Sequence, residues 1–187
     1  MKHDRLGNLL WSQVYTGVVG QAFYLEVDEQ DDLYLFGEGY EDFSKRWLTM
    51  KADTSGALQW ARFGAVAEPT ALVVGLGQVV VGGEANGGDF VLESYDYAGG
   101  LSWEAASNEA STGVVHMAMG SAGQVAVCGW GIPGPFLSAG LVEAYDTQGQ
   151  RLFQTFYSSP YGGPNILRKL AFDSTDSVVV VGSSLTM

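Results

Sequence analysis

The chain has one cysteine, two histidines, five prolines, and only nine Lys and Arg against 21 Asp and Glu in its 187 residues. The single thiol, Cys128, excludes an intramolecular disulfide and any multi-cysteine zinc site. It lies within the apolar run Val125-Ala-Val-Cys-Gly129, where it reads as a buried, inert group. A net charge of −12 with a pI near 4.3 repels phosphate backbones and anionic headgroups alike. Neither nucleic acid nor a membrane is therefore expected as a partner. No stretch approaches the roughly 18 apolar residues of a spanning helix, and Met1-Lys-His-Asp-Arg-Leu-Gly-Asn8 lacks the apolar core of a secretory signal. Charged residues make up only 16%, fewer than long helices usually bring.

What the sequence has instead is glycine, 26 residues of it, with many Val, Tyr, Phe and Trp, a composition that favours sheet. It also repeats. The anchor Asp-x-x-Gly-x-x-x-aromatic occurs as Asp4/Gly7/Trp11, Asp53/Gly56/Trp60, Asp96/Gly99/Trp103 and Asp146/Gly149/Phe153. The intervals between the Asp residues are 49, 43 and 50, so spacing is constant inside the anchor and length varies in the loops. A second anchor is an apolar strand ending in glycine: Leu33–Gly37, Val79–Gly83, Val125–Gly129 and Val178–Gly182. Each unit reads as a four-stranded meander. Strand A is expected at 23–28, 69–74, 115–120 and 167–173, with strand B at the runs just given. Strand C is expected at 47–52, 90–95 and 140–145, and strand D at 9–15, 58–63, 101–106 and 151–157. Within the anchor, Asp bonds the backbone ahead of it and Gly takes positive φ. The fold class is thus all-β, with the whole chain, 1–187, one propeller domain or a propeller segment of four four-stranded antiparallel blades.

On these anchors, carried best by Ala52-Asp-Thr-Ser-Gly-Ala-Leu-Gln-Trp60 and Tyr145-Asp-Thr-Gln-Gly149, the chain resembles a family of bacterial β-propeller repeats. It is also similar to the tryptophan-docking repeats of pyrroloquinoline-quinone-type propellers, with the turn one residue shorter. The resemblance implies that Trp11, Trp60 and Trp103 wedge between neighbouring blades, with Phe153 a poorer wedge because it lacks an indole N–H. It also implies an exported or cell-surface bacterial protein if the chain is part of a longer one; localisation otherwise stays open. Asp28 and Asp173 begin the A-to-B turns of the outer units, whereas Val74 and Gly120 stand there in the middle units.

No catalytic residues, metal site or cofactor are expected. His116 has no second histidine or cysteine partner outside the N-terminal segment. The acidic turn Asp28–Asp32 lacks the Gly and distal Glu of a calcium loop, and the glycine pairs have no following Lys to cradle phosphate. The functional signal is loop asymmetry: B-to-C and D-to-A loops are longer and aromatic, through Tyr40, Phe43, Trp47, Trp130, Phe136, Tyr157 and Tyr161. Tyr40, Trp47, Trp130, Phe136 and Tyr161 are the expected ligand contacts of a non-enzymatic module that binds protein or carbohydrate. The alternatives are a hydrolase or lyase using His116 with Glu26 or Lys169 in an axial channel, or a structural segment of a longer surface protein. Finally, Met1–Asp4 aligns with Met50–Asp53 and Leu185–Met187 with Leu48–Met50. Residues 1–15 are therefore expected to pair with the blade built from 166–187, within one chain or between two, so self-association would complete the ring.

Overall fold

The computed structural model describes residues 1–85, 88–107, 112–133, 138–159 and 165–184, and these are strand and turn, without helix. One sheet orders β3 (Gly20–Val27), β4 (Leu33–Glu41), β5 (Ser44–Ala52) and β6 (Leu58–Phe63). The next orders β7 (Ala67–Gly75), β8 (Gln78–Ala85), β9 (Phe90–Asp96) and β10 (Leu101–Ala106). A third orders β11 (Thr112–Met119), β12 (Val125–Gly131), β13 (Ala139–Tyr145) and β14 (Arg151–Tyr157). All are antiparallel meanders, arranged like the blades of a propeller. Where the repeats predict a fourth complete sheet there are two separate pairs, β15 (Asn165–Phe172) with β16 (Val178–Ser184), and β1 (Lys2–His3) with β2 (Leu9–Trp11). No ladder joins them among the described residues, and Leu185–Met187, which belong to the expected pairing of the two ends, lie outside those residues.

The strand-B glycine has a specific cause. Every first strand bulges at the same place, between Ala22 and Tyr24, Pro69 and Ala71, Val114 and His116, and Leu167 and Lys169. A bulge pushes backbone toward the partner strand. A Cβ on Gly37 would stand 2.0 Å from the Gln21 carbonyl oxygen, on Gly83 1.9 Å from that of Glu68, and on Gly129 1.8 Å from that of Gly113. Only glycine admits that approach. The ladder register equates Tyr24, His116 and Lys169 with Ala71, and Leu25, Met117 and Leu170 with Leu72, because the loop between the first two strands of the second sheet is one residue shorter than in the others.

The Asp anchors are turns of one design. Asp53 Oδ1 accepts the N–H groups of Ser55 and Ala57 at 2.9 and 3.0 Å, and Asp4, Asp96 and Asp146 repeat the pattern two and four residues on. Asp28 and Asp173 do the same in the A-to-B turns. Where the register puts Gly75, rather than Val74, in place of Asp, the loop shortens to Leu76-Gly77, both at positive φ (50° and 80°) between the paired Gly75 and Gln78. Where Gly120 replaces it, Asp176 of the next repeat accepts the Ser121 N–H and hydroxyl at 2.9 and 2.6 Å.

Between repeats, the anchors interlock. The Trp11 ring covers Gly56, Trp60 covers Gly99 and Trp103 covers Gly149; a Cβ on these glycines would lie 2.8 to 2.9 Å from an indole carbon. The glycines hold φ of 84°, 83° and 78°. Trp11 and Trp60 also donate their indole N–H to the turn carbonyls of Thr54 and Tyr97, each at 3.1 Å. Trp60 and Trp103 are buried, and Trp11 is half-buried.

Two terms oppose alanine at Gly99, left-handed φ and collision with Trp60, whereas Gly7, also at φ 84°, has open space beside it. Gly99→Ala is expected to cost about 2 kcal/mol more than Gly7→Ala, because overpacking adds to backbone strain. Urea denaturation of both variants checks this; equal losses would mean that the indole contact carries no weight.

Candidate functional site

Two regions gather chemically useful side chains. Turns between first and second and between third and fourth strands share one face, as shown by Tyr97 donating its hydroxyl to Glu29 at 3.1 Å across repeats. The opposite face holds the aromatic loops. Its most projecting feature is the β4–β5 hairpin, where Glu41 pairs with Ser44 around Asp42-Phe43. Both loop residues have positive φ, 48° and 64°, the two-residue turn that fits strand twist. That conformation strains a bulky aromatic by about 1–3 kcal/mol, yet Phe43 stands wholly in solvent with Tyr40 exposed on the same hairpin. The neighbouring loops add a half-buried Trp130, whose indole N–H edge lies over Gly113, and an exposed Tyr157 at the end of β14.

Trp47 departs from expectation. It is fully buried, edge-on to Phe36 with ring centroids 5.4 Å apart, and its ring covers Gly83 of the next sheet. It is a blade-to-blade wedge and offers no surface to a ligand, because β5 begins three residues earlier than the sequence implies and carries it into the core. Phe136 and Tyr161 lie outside the described residues. Phe153, the fourth anchor aromatic, is exposed.

The second region is the axial cleft between first strands, about 410 Å³, lined by Tyr24, Glu26, Thr70, His116 and Lys169 among others. The structure thus brings together the three groups the channel alternative requires. His116 Nδ1 accepts the Leu170 N–H at 3.3 Å, which leaves Nε2 as the proton-bearing nitrogen directed elsewhere. Burial, and then the Lys169 charge, lower the imidazole pKa below its usual value. Burial raises the Glu26 carboxyl. Cys128 is buried, and burial lifts its thiol to about 11, so it remains protonated and inert at neutral pH.

Sequence reasoning missed a third group. Glu93 is buried on β9 and accepts the Tyr95 hydroxyl at 2.5 Å, and burial pushes its carboxyl pKa up. It floors a perimeter groove of about 600 Å³ that also holds Arg46, Arg62 and Glu104. Glu143 repeats the arrangement with Tyr145, and takes Gln154 Nε2 at 2.6 Å. The signal was available as Glu-x-Tyr-Asp in two successive repeats, Glu93–Asp96 and Glu143–Asp146. The acidic A-to-B turn is likewise accounted for by its own backbone: Asp28 also accepts the Tyr34 hydroxyl at 3.0 Å, and Lys51 Nζ stands 2.9 Å from Asp32.

The architecture is that of a propeller, and solved structures share it. A protein of unknown function from Bacteroides caccae is 11% identical, with a TM-score of 0.55 over 94% of this chain and 57% of that one. A gluconolactonase from Xanthomonas campestris is 14% identical, with a TM-score of 0.54 over 96% of this chain and 61% of that one. The chain therefore spans about six-tenths of the length of either, and at these identities the likeness shows the fold alone. No family model and no curated protein matches the sequence.

The lowered pKa of His116 has a defined consequence for stability. The unfolded chain takes up a proton first as pH falls through the ordinary 6.5, so the stabilising contribution is complete above that value and declines below it toward the folded pKa. The urea midpoint is expected to fall between pH 7.5 and pH 5 by less in His116→Gln than in the parent protein. Identical declines would place the imidazole in ordinary solvent.

Proposed function

We propose that the protein is a non-catalytic propeller module of the bacterial Asp-x-x-Gly-x-x-x-Trp repeat type, which binds a protein or carbohydrate ligand on its aromatic loop face. The observation that carries this reading is Phe43: a wholly exposed ring on a turn that strains it, beside exposed Tyr40. A bulky residue held at positive φ in solvent costs stability without packing in return, as is common for residues kept for contact with a partner. Trp130 and Tyr157 extend the face as flat, half-apolar surface suited to stacking on sugar rings or peptide. Trp47 has no part in it.

A second reading is favoured by one specific observation, the convergence of His116, Glu26 and Lys169 on the axial cleft. A histidine that is neutral near pH 7 can take a proton from water, and a nearby ammonium can stabilise a developing oxyanion. One of the similar solved structures is a gluconolactonase, so lactones are the natural first substrates to try.

Glycan-array and peptide-array screening of the parent and a Tyr40→Ala/Phe43→Ala double variant tests the first reading. Loss of binding by at least tenfold is expected, with an unchanged or slightly raised melting temperature because both rings are exposed. Undiminished binding by the double variant would overturn it. Lactone hydrolysis by the parent that His116→Ala abolishes would establish the second reading in its place.

A further inference from the structure

Every seam between successive sheets is built to one recipe. Tyr34 and Phe36 of β4, with Trp60, meet Leu72 of β7 and Val79 and Val81 of β8. One repeat later, Val80 and Trp103 meet Met117 of β11 and Val125 and Val127 of β12. One later again, Ala126 and Cys128 meet Leu170 of β15 and Val178 and Val180 of β16. An outgoing half, one face of the second strand, joined in the first two seams by the fourth-strand aromatic, thus meets an incoming half, the first strand plus the other face of the next second strand.

Both halves of one more seam stand open. The ladder register makes Val179 and Val181 the outgoing equivalents of Tyr34 and Phe36, and Leu25 and Leu35 the incoming equivalents of Leu72 and Val81. Val181 is 61% exposed where Phe36 and Cys128 are buried, and Leu25 is 56% exposed where Leu72, Met117 and Leu170 are buried. The anchor contact is open in the same way. Phe153 is 42% exposed, and Gly7, at the φ of the covered glycines, has nothing over it. Backbone edges agree, since among the described residues the β15–β16 pair has no third or fourth strand and the β1–β2 pair no first or second. Within one chain β1–β2 is tied elsewhere, by Trp11 on Gly56 and by the Tyr15 hydroxyl to the Gly56 carbonyl at 3.1 Å.

We infer that a second copy of this chain completes the seam, head to tail. Its β1–β2 pair adds to β16 as the missing third and fourth strands, its Gly7 turn lies under Phe153, and its Leu25 and Leu35 cover Val179 and Val181. The reciprocal contact closes the ring, as a heterologous interface does when the rotation permits. The occupant is argued from fit: each open surface on one end is the half that the open surface on the other end lacks, and one protein carries both. With −12 on each copy, association works against repulsion and is expected to strengthen with added salt.

Analytical ultracentrifugation of the purified chain at micromolar concentration and moderate salt tests this. A mass twice the 19.9 kDa chain is expected; the monomer mass, or an open series of larger species, would overturn the proposal. Val181→Asp and Leu25→Asp alter side chains already in solvent, so neither disturbs the folded arc. Each alone is expected to sediment as a monomer, while an equimolar mixture regains the doubled mass because one of its two seams contains no substitution. Doubled mass in either variant alone, or no recovery on mixing, would contradict a head-to-tail seam.

Discussion

The arrangement depends on a ring lying flat on a glycine that no other residue can replace. In each repeat the chain turns with left-handed backbone at Gly56, Gly99 or Gly149, and the absence of a side chain there makes a flat floor. An indole from the preceding repeat fills it. Local turn chemistry and long-range packing are thereby the same event: the Asp-bonded turn supplies the floor, and the floor positions the next sheet. Differences among the seams follow from the partners. Trp60 has both ring contact and an N–H bond to Tyr97, whereas Trp103 keeps the ring contact but its buried N–H finds no acceptor among the described residues. Phe153 has neither N–H nor floor.

A second constraint, the bulge of each first strand, turns the residue after it toward the axis. Tyr24, His116 and Lys169 all follow a bulge, and all line the axial cleft, so three of its polar groups are set by which residue the repeat carries at that one position. The strand-B glycine makes the bulge possible, which ties a backbone requirement 13 residues away, from Tyr24 to Gly37, His116 to Gly129 and Lys169 to Gly182, to the identity of the cleft. This also explains how a sequence nearly devoid of histidine and lysine concentrates one of each in the same cavity.

Most of the fold was legible because its signals are local. Asp-x-x-Gly spacing marks a turn whose hydrogen bonds close within five residues, and a Val run ended by glycine marks one strand. What failed was long-range. Trp47 reads as a loop aromatic by its neighbours, and only the approach of Gly83 from the next sheet makes it core. The register of β7 was illegible because its loop to β8 is one residue shorter than the equivalent loops, which brings Ala71 rather than Thr70 level with Tyr24, His116 and Lys169. The buried Glu93–Tyr95 pair was invisible for a related reason: a carboxylate on a strand reads as solvent-facing until the adjoining sheet covers it. The aromatic loop face was only partly legible. Tyr40 is exposed as its position suggests, while the left-handed backbone that holds Phe43 in solvent is an angle that sequence does not display.

The central claim, that indole and glycine act as one unit across each seam, is tested most directly by a double-mutant cycle on Trp60 and Gly99. Trp60→Ala alone should cost about 3–5 kcal/mol for the lost buried ring. The methyl of Gly99→Ala collides only when that ring is present, so the double variant should be more stable than the two separate losses predict, by about 1 kcal/mol or more. Urea unfolding of the four proteins measures this coupling. Strict additivity would contradict the account, because it would mean that the glycine serves only its own turn and the tryptophan finds its place without it.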